Sequence, residues 1–132
     1  EAIANKTERF YGFRPNPQTQ VTVTCGVTEA VISALVGLVD KGDKVVILEP
    51  AHENYHAGVV FAGAEAIWVP IRPPEFKFDP GELKKAFARP NVKAVIFNTP
   101  HNPSGRVFRY EELQQIADLC IKYDVFAIAD EI

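Results

Sequence analysis

Apolar positions along this chain follow two alternating rhythms. Four short runs rich in β-branched and aromatic residues have the length of strands, Val45-Val46-Ile47-Leu48, Ala66-Ile67-Trp68-Val69, Lys93 to Phe97, and Val125-Phe126-Ala127-Ile128-Ala129, and the first, third and fourth are expected to be buried. Between them the apolar residues recur at helical spacing. Ala30, Val31, Ala34, Leu35, Leu38 and Val39 make one broad face, with Gly42 as the expected stop, and Leu113, Ile116, Ala117, Leu119 and Cys120 make another. Residues 53–61 are expected to be helical and to end near Gly63. Asp79-Pro80-Gly81-Glu82 carries an N-cap aspartate, a proline at the first helical position and a glutamate three residues after the cap, which predicts a helix to about Phe87. Residues 1–11 read as the end of a helix, Pro15 and Pro17 force a loop, and Val21 to Thr24 is expected to be a short strand. Pro70 to Phe78 is expected to be a connection.

Strands alternating with helices predict βαβ units, sequential parallel pairing and right-handed crossovers. The expected fold is therefore α/β, a three-layer α/β/α arrangement around a mostly parallel sheet. Ligands in such sheets bind outside the carboxyl ends of the strands. That rim gathers Gly26 to Thr28, the loop after Leu48, Asn98 to Gly105, and Asp130.

Composition narrows the class of function. The chain has 132 residues, 47% of them hydrophobic and 23% charged, as in an ordinary globular domain. Its 14 basic and 17 acidic residues give a net charge of −3, with no basic footprint for nucleic acid or an anionic membrane. No apolar run approaches the ~20 residues that span a bilayer. Cys25 and Cys120 share no metal-ligand or disulfide-framework spacing, are read as buried small residues, and suit a reducing, cytoplasmic compartment. The chain lacks methionine and begins in what reads as mid-helix, so a piece of a larger domain is expected.

Candidate chemistry sits on the rim. Gly26-Val27-Thr28 opens a helix, where free N–H groups and the positive end of the helix dipole suit a phosphate, although a plain capped helix start has the same appearance. Neither G-x-G-x-x-G nor a Walker sequence is present, which removes support for a dinucleotide or a nucleoside triphosphate. Asn98-Thr99-Pro100-His101-Asn102-Pro103-Ser104-Gly105 is dense in turn formers. Asp130 emerges from an apolar strand on the same rim, where a poorly solvated carboxylate calls for a cationic partner.

Taken together, G-x-T-E-A opening a helix, E-P after a strand, N-T-P-H-N-P-S-G and A-D-E resemble the large domain of pyridoxal 5′-phosphate (PLP)-dependent aminotransferases of the aspartate aminotransferase superfamily. The suggested subgroup includes aspartate, aromatic and kynurenine-type enzymes. The resemblance covers essentially all 132 residues. It implies that Asp130 pairs with the pyridine nitrogen, that Asn102 bonds the phenolic oxygen of the ring, and that Gly26, Val27 and Thr28 cradle the phosphate. His52 falls where the family places an aromatic residue against the ring face. The resemblance further implies amino-acid and 2-oxo-acid substrates, a homodimeric parent, and no nucleic-acid or membrane partner.

The family's catalytic lysine lies well downstream of the aspartate that Asp130 matches, and none of the lysines here has the required context. No catalytic residue and no metal ligand is therefore assigned. Residues 1–132 are expected to be part of the large PLP-binding domain, with residues 1–12 ending a preceding helix, the lysine segment and C-terminal small domain absent, and the piece alone inactive. A carbon–sulfur lyase or aminocyclopropane-carboxylate synthase on the same fold is the alternative among enzymes. An aminotransferase-like effector domain of a transcription regulator is the alternative outside them. His56 and His101 receive no role. Tyr55 borders the pocket or simply packs its helix, Trp68 reads as core or interface, and Lys84, Lys85, Glu111 and Glu112 read as solvated helix faces.

Overall fold

The computed structural model describes all residues, Glu1 to Ile132. Five helices, α1 (Ala2–Tyr11), α2 (Val27–Leu38), α3 (Glu53–Phe61), α4 (Pro80–Phe87) and α5 (Tyr110–Tyr123), alternate with five strands, β1 (Lys44–Glu49), β2 (Glu65–Arg72), β3 (Lys77–Phe78), β4 (Val92–Asn98) and β5 (Phe126–Asp130). The strands form one sheet in the order β3-β2-β1-β4-β5. Neighbours are parallel except for the short β2–β3 pair.

Alternation along the central strands divides the core into two layers. Val45 and Ile47 of β1 and Ala94 and Ile96 of β4 pack with Val31, Leu35, Tyr55 and Val59 of α2 and α3. Their neighbours Val46, Leu48, Val95 and Phe97 face the opposite way, onto Leu83, Ala86 and Phe87 of α4 and Ile116 of α5. Both faces of β1 and β4 are thus buried, which is why their sequences are continuously apolar. Helices α2 and α3 approach closely at Gly58, where a Cβ would stand 3.0 Å from Leu35 Cδ1. Fully burying a side chain such as Leu35 contributes about 1.5–3 kcal/mol.

Local signals set most boundaries. Asp79 accepts a hydrogen bond from the Glu82 N–H (2.8 Å) at the start of α4, and Pro80 occupies the first turn. Helix α2 stops at Leu38, four residues before the expected Gly42, because Val39 is already extended. Four other expectations are corrected. Val21 to Thr24 forms no strand, since no neighbouring strand offers it a ladder, and Val23 is 81% exposed. Within Pro70 to Phe78, β2 runs on to Arg72 and folds back as an antiparallel hairpin with β3. Strand β5 is largely exposed, because it pairs only with β4 and leaves its outer edge open. Cys25 is exposed in the loop before α2; Cys120 is half-buried, and burial pushes its thiol up to about 11.

The strand order places a topological switch between β1 and β4: β1 leads to β2 on one side, while β4 and β5 extend the sheet on the other. The crevice at their carboxyl ends is where an open α/β sheet receives its ligand.

Candidate functional site

Four segments converge at this rim, and hydrogen bonds tie them together. Asp130 ends β5, its backbone in register with Asn98 at the end of β4. Its carbonyl accepts from the Thr99 N–H (3.1 Å). The residue is 7% exposed, the one buried acid of the chain. Oδ2 accepts from the Tyr55 hydroxyl at 2.5 Å, and Oδ1 from the Ile132 N–H at 3.1 Å. Burial, with the hydrogen bond to Asp130 and the charge of Asp130 adding to it, raises the Tyr55 phenol above its ordinary value. The pair is thus a neutral donor serving a carboxylate. Tyr55 packs its helix as well, sitting in the core layer between α2 and α3. A buried tyrosine hydroxyl needs a partner, and that need is the sequence signal that could have pointed to this contact.

The first turn of α2 forms the second part. Gly26 is its N-cap at φ 90° and ψ 172°, a conformation that favours glycine. Ala30 N–H is the first to bond back, to Gly26, so the amides of Val27, Thr28 and Glu29 have no partner within the chain. Thr28 does not cap the helix: its Oγ1 accepts from Asn54 Nδ2 (3.0 Å), which leaves the hydroxyl proton free to donate. No side chain caps α2; the Glu29 carboxylate turns back outside the helix and accepts from the Cys25 N–H. Asn54 and Tyr55 are neighbours in the first turn of α3, so one helical turn links the α2 terminus to Asp130.

His52 is the N-cap of α3, half-buried, with Nδ1 accepting from the Asn54 N–H (3.3 Å). Its ring centroid lies 5.6 Å from that of Tyr55, tilted by 43°. Asn102 sits exposed in the turn after β4, its side chain without a hydrogen bond in the chain. The turn itself is braced by Asn98 Nδ2 donating to the Pro100 carbonyl (3.1 Å) and Phe108 N–H donating to Thr99 Oγ1 (3.1 Å). Chemically, unpartnered amides beside a hydroxyl can take an oxyanion such as a phosphate, and a buried carboxylate on the same rim can take a ring cation.

Residues 1–132 match the sequence profile of the family described as aminotransferase class I and II. The chain belongs to the class I and II aminotransferase family. Over 142 residues it is 40% identical to kynurenine–oxoglutarate transaminase 3 of Bos taurus, covering 100% of this chain and 31% of that protein. Its fold matches a solved Escherichia coli protein with a methionine aminotransferase function at a TM-score of 0.94 and 35% identity, over 99% of this chain and 34% of the other. It also matches a PLP-bound C–S lyase of Staphylococcus hominis at a TM-score of 0.89 and 27% identity, over 99% and 34%. The chain spans about a third of the length of these relatives.

In this family member the remaining singled-out residues lie elsewhere. His56 is exposed, and its ring lies 5.4 Å from that of Trp68. Trp68 is 41% exposed, so it is not core. Lys84, Lys85 and Glu111 are exposed helix residues, but Glu112 is not: it pairs with Arg106 and accepts from the Arg109 N–H (3.0 Å), closing the first turn of α5.

Proposed function

We propose that this chain forms the cofactor-cradling part of a PLP-dependent aminotransferase, which moves an amino group from an amino acid to a 2-oxo acid in amino-acid metabolism. The observation that carries the reading is the buried Asp130–Tyr55 pair standing on one rim with the open amides of α2. The donor set fits the cofactor: a carboxylate for a protonated pyridine nitrogen, and N–H groups with a free hydroxyl for a phosphate. Bound PLP would supply an electron sink for the pair released when the substrate Cα–H bond breaks.

The chain's own residues would do the rest. The Val27 and Thr28 amides and the Thr28 hydroxyl bind the phosphate, with Gly26 shaping the turn. Asp130 keeps the proton on the ring nitrogen, and Tyr55 holds the Asp130 carboxylate in place. Asn102 donates its side-chain amide to the ring's phenolic oxygen. His52 lies against the ring face. Residues 1–132 supply no covalent lysine in this reading; that group and the substrate-gripping residues would come from further sequence of the enzyme.

The enzyme is read as a cytoplasmic homodimer. The two free thiols support the compartment, and no helix is long and apolar enough to cross a membrane. Phe10, Tyr11 and Phe13, each about 60% exposed around the end of α1, support a partner surface. The test is the absorption spectrum of a full-length protein containing this chain, loaded with PLP. A single amino acid should bleach the cofactor band and a 2-oxo acid should restore it. A carbon–sulfur lyase is the second reading, favoured by the likeness to the Staphylococcus hominis enzyme. It predicts instead release of a thiol and ammonia from a cysteine thioether, without a 2-oxo acid acceptor.

A further inference from the structure

His101 is 3% exposed, as deeply buried as Tyr55, and the functional reading gives it no task. Nε2 lies 2.8 Å from the carbonyl oxygen of Pro50 and Nδ1 lies 2.7 Å from Ser104 Oγ. A carbonyl can only accept, so Nε2 carries the proton and Nδ1 offers its lone pair to the Ser104 hydroxyl. Ser104 Oγ in turn accepts from the Arg106 N–H (3.3 Å). Donors and acceptors therefore run in one direction, from Arg106 through Ser104 and His101 to Pro50. The backbone of His101 is fixed as well: its N–H donates to the Arg106 carbonyl (2.7 Å), and its carbonyl accepts from the Gly105 N–H (2.6 Å). Phe108 meets the imidazole edge-on, with centroids 6.2 Å apart and planes at 76°.

The two ends of this relay belong to different loops. Pro50 follows β1 and precedes His52 by two residues; His101 follows β4 and precedes Asn102 by one. The bond to Pro50 thus spans the switch point between β1 and β4, and it joins the loop that presents His52 to the turn that presents Asn102. We propose that His101 is a positioning residue: its neutral imidazole buckles the β1 and β4 exit loops together and so sets the placement of His52 and Asn102 on either side of the cofactor ring. This rests on the functional reading above for the ring, while the buckle itself belongs to the chain with or without cofactor.

Amide side chains separate the two halves of the imidazole. Glutamine reaches about as far as Nε2 and can donate to Pro50, whereas asparagine reaches only the Nδ1 position and keeps at most the Ser104 link. The experiment is hydrogen–deuterium exchange on a full-length protein containing this chain, without cofactor, in wild-type, His101→Gln and His101→Asn forms. Loss of the bond that crosses between loops should raise exchange of residues 51–56 about tenfold in H101N, with H101Q near wild type. Cofactor loading supplies the second readout: PLP should bind about tenfold more weakly to H101N than to H101Q.

Equal exchange of residues 51–56 in all three forms would overturn the buckle. The expected exchange pattern with equal PLP affinity in the two variants would overturn its positioning role. The expected exchange pattern in a wild-type protein that takes up no PLP would overturn the functional reading and leave the mechanical tie standing.

Discussion

At the Asp130 end of the rim both carboxylate oxygens already have a partner inside the chain, whereas at the α2 end the amides of Val27, Thr28 and Glu29 have none. The difference follows from burial. An unpartnered carboxylate in a nearly dry position costs several kcal/mol, so Asp130 must be held by Tyr55 and the Ile132 N–H whether or not a ligand is present. Exposed amides at a helix start are satisfied by water and tolerate being left open. The closed end can therefore set the geometry and protonation of a ring, while the open end can contribute affinity by exchanging water for phosphate oxygens. His101, buckled to Pro50, belongs with the closed side.

The largest break in this comparison is expected from Asp130→Asn in a full-length protein. It keeps the shape and an acceptor for Tyr55 but removes the charge, and losing the partner of a buried cation costs about 3–5 kcal/mol, or roughly 10²–10⁴-fold in turnover. Turnover with cofactor loading held at saturation is the measurement. Tyr55→Phe comes next: the carboxylate loses its hydroxyl donor while the ring packing is kept, an effect of about 1–3 kcal/mol. It should lower the melting temperature in the absence of cofactor and shift the pH profile of turnover; an unchanged profile would make Tyr55 a packing residue alone.

Thr28→Ala acts at the open end and should be milder, about 1 kcal/mol or fivefold in PLP affinity. Its signature is selectivity: binding of pyridoxal without the phosphate should be unaffected. If both ligands weaken equally, Thr28 acts through Asn54 and α3 rather than on the phosphate. The smallest effect concerns pH. Burial lowers the His101 pKa below its usual 6.5, and the Arg106 charge adds to this against the raising effect of the Pro50 bond. The unfolded chain then takes up the proton first, so stability is constant above about pH 7 and falls as pH drops through 6.5 towards the folded value. Denaturant melts should show that slope in wild type and lose it in His101→Gln.

The closed and open ends differed in how well the sequence announced them. Gly26-Val27-Thr28 was legible because a strand of helix-start chemistry is local: glycine before a helix exposes amides wherever it occurs. Asp130 was legible as a carboxylate at the end of an apolar run. The contact of Tyr55 with Asp130 and that of His101 with Pro50 were not, since the partners lie 75 and 51 positions apart, and only the sheet order brings those positions together. The same logic separates the fold's successes from its corrections. The cap at Asp79 and the buried runs of β1 and β4 depend on neighbours in sequence or on both faces being covered. Val21 to Thr24 has the residues of a strand but no partner to pair with, and β5 has a core-like sequence beside an open edge. Helix face residues misled at Glu112 because Arg106, in the preceding loop, reaches it.

The account's central claim is that the α2 amides and the Asp130 carboxylate are the two ends of one PLP site. A crystal structure of a full-length protein containing this chain, grown with PLP, tests it most directly. The account predicts the phosphate on the amides of Val27 and Thr28 and the pyridine nitrogen within hydrogen-bond reach of Asp130. A cofactor bound with its phosphate elsewhere, or with its ring nitrogen facing away from Asp130, would contradict it.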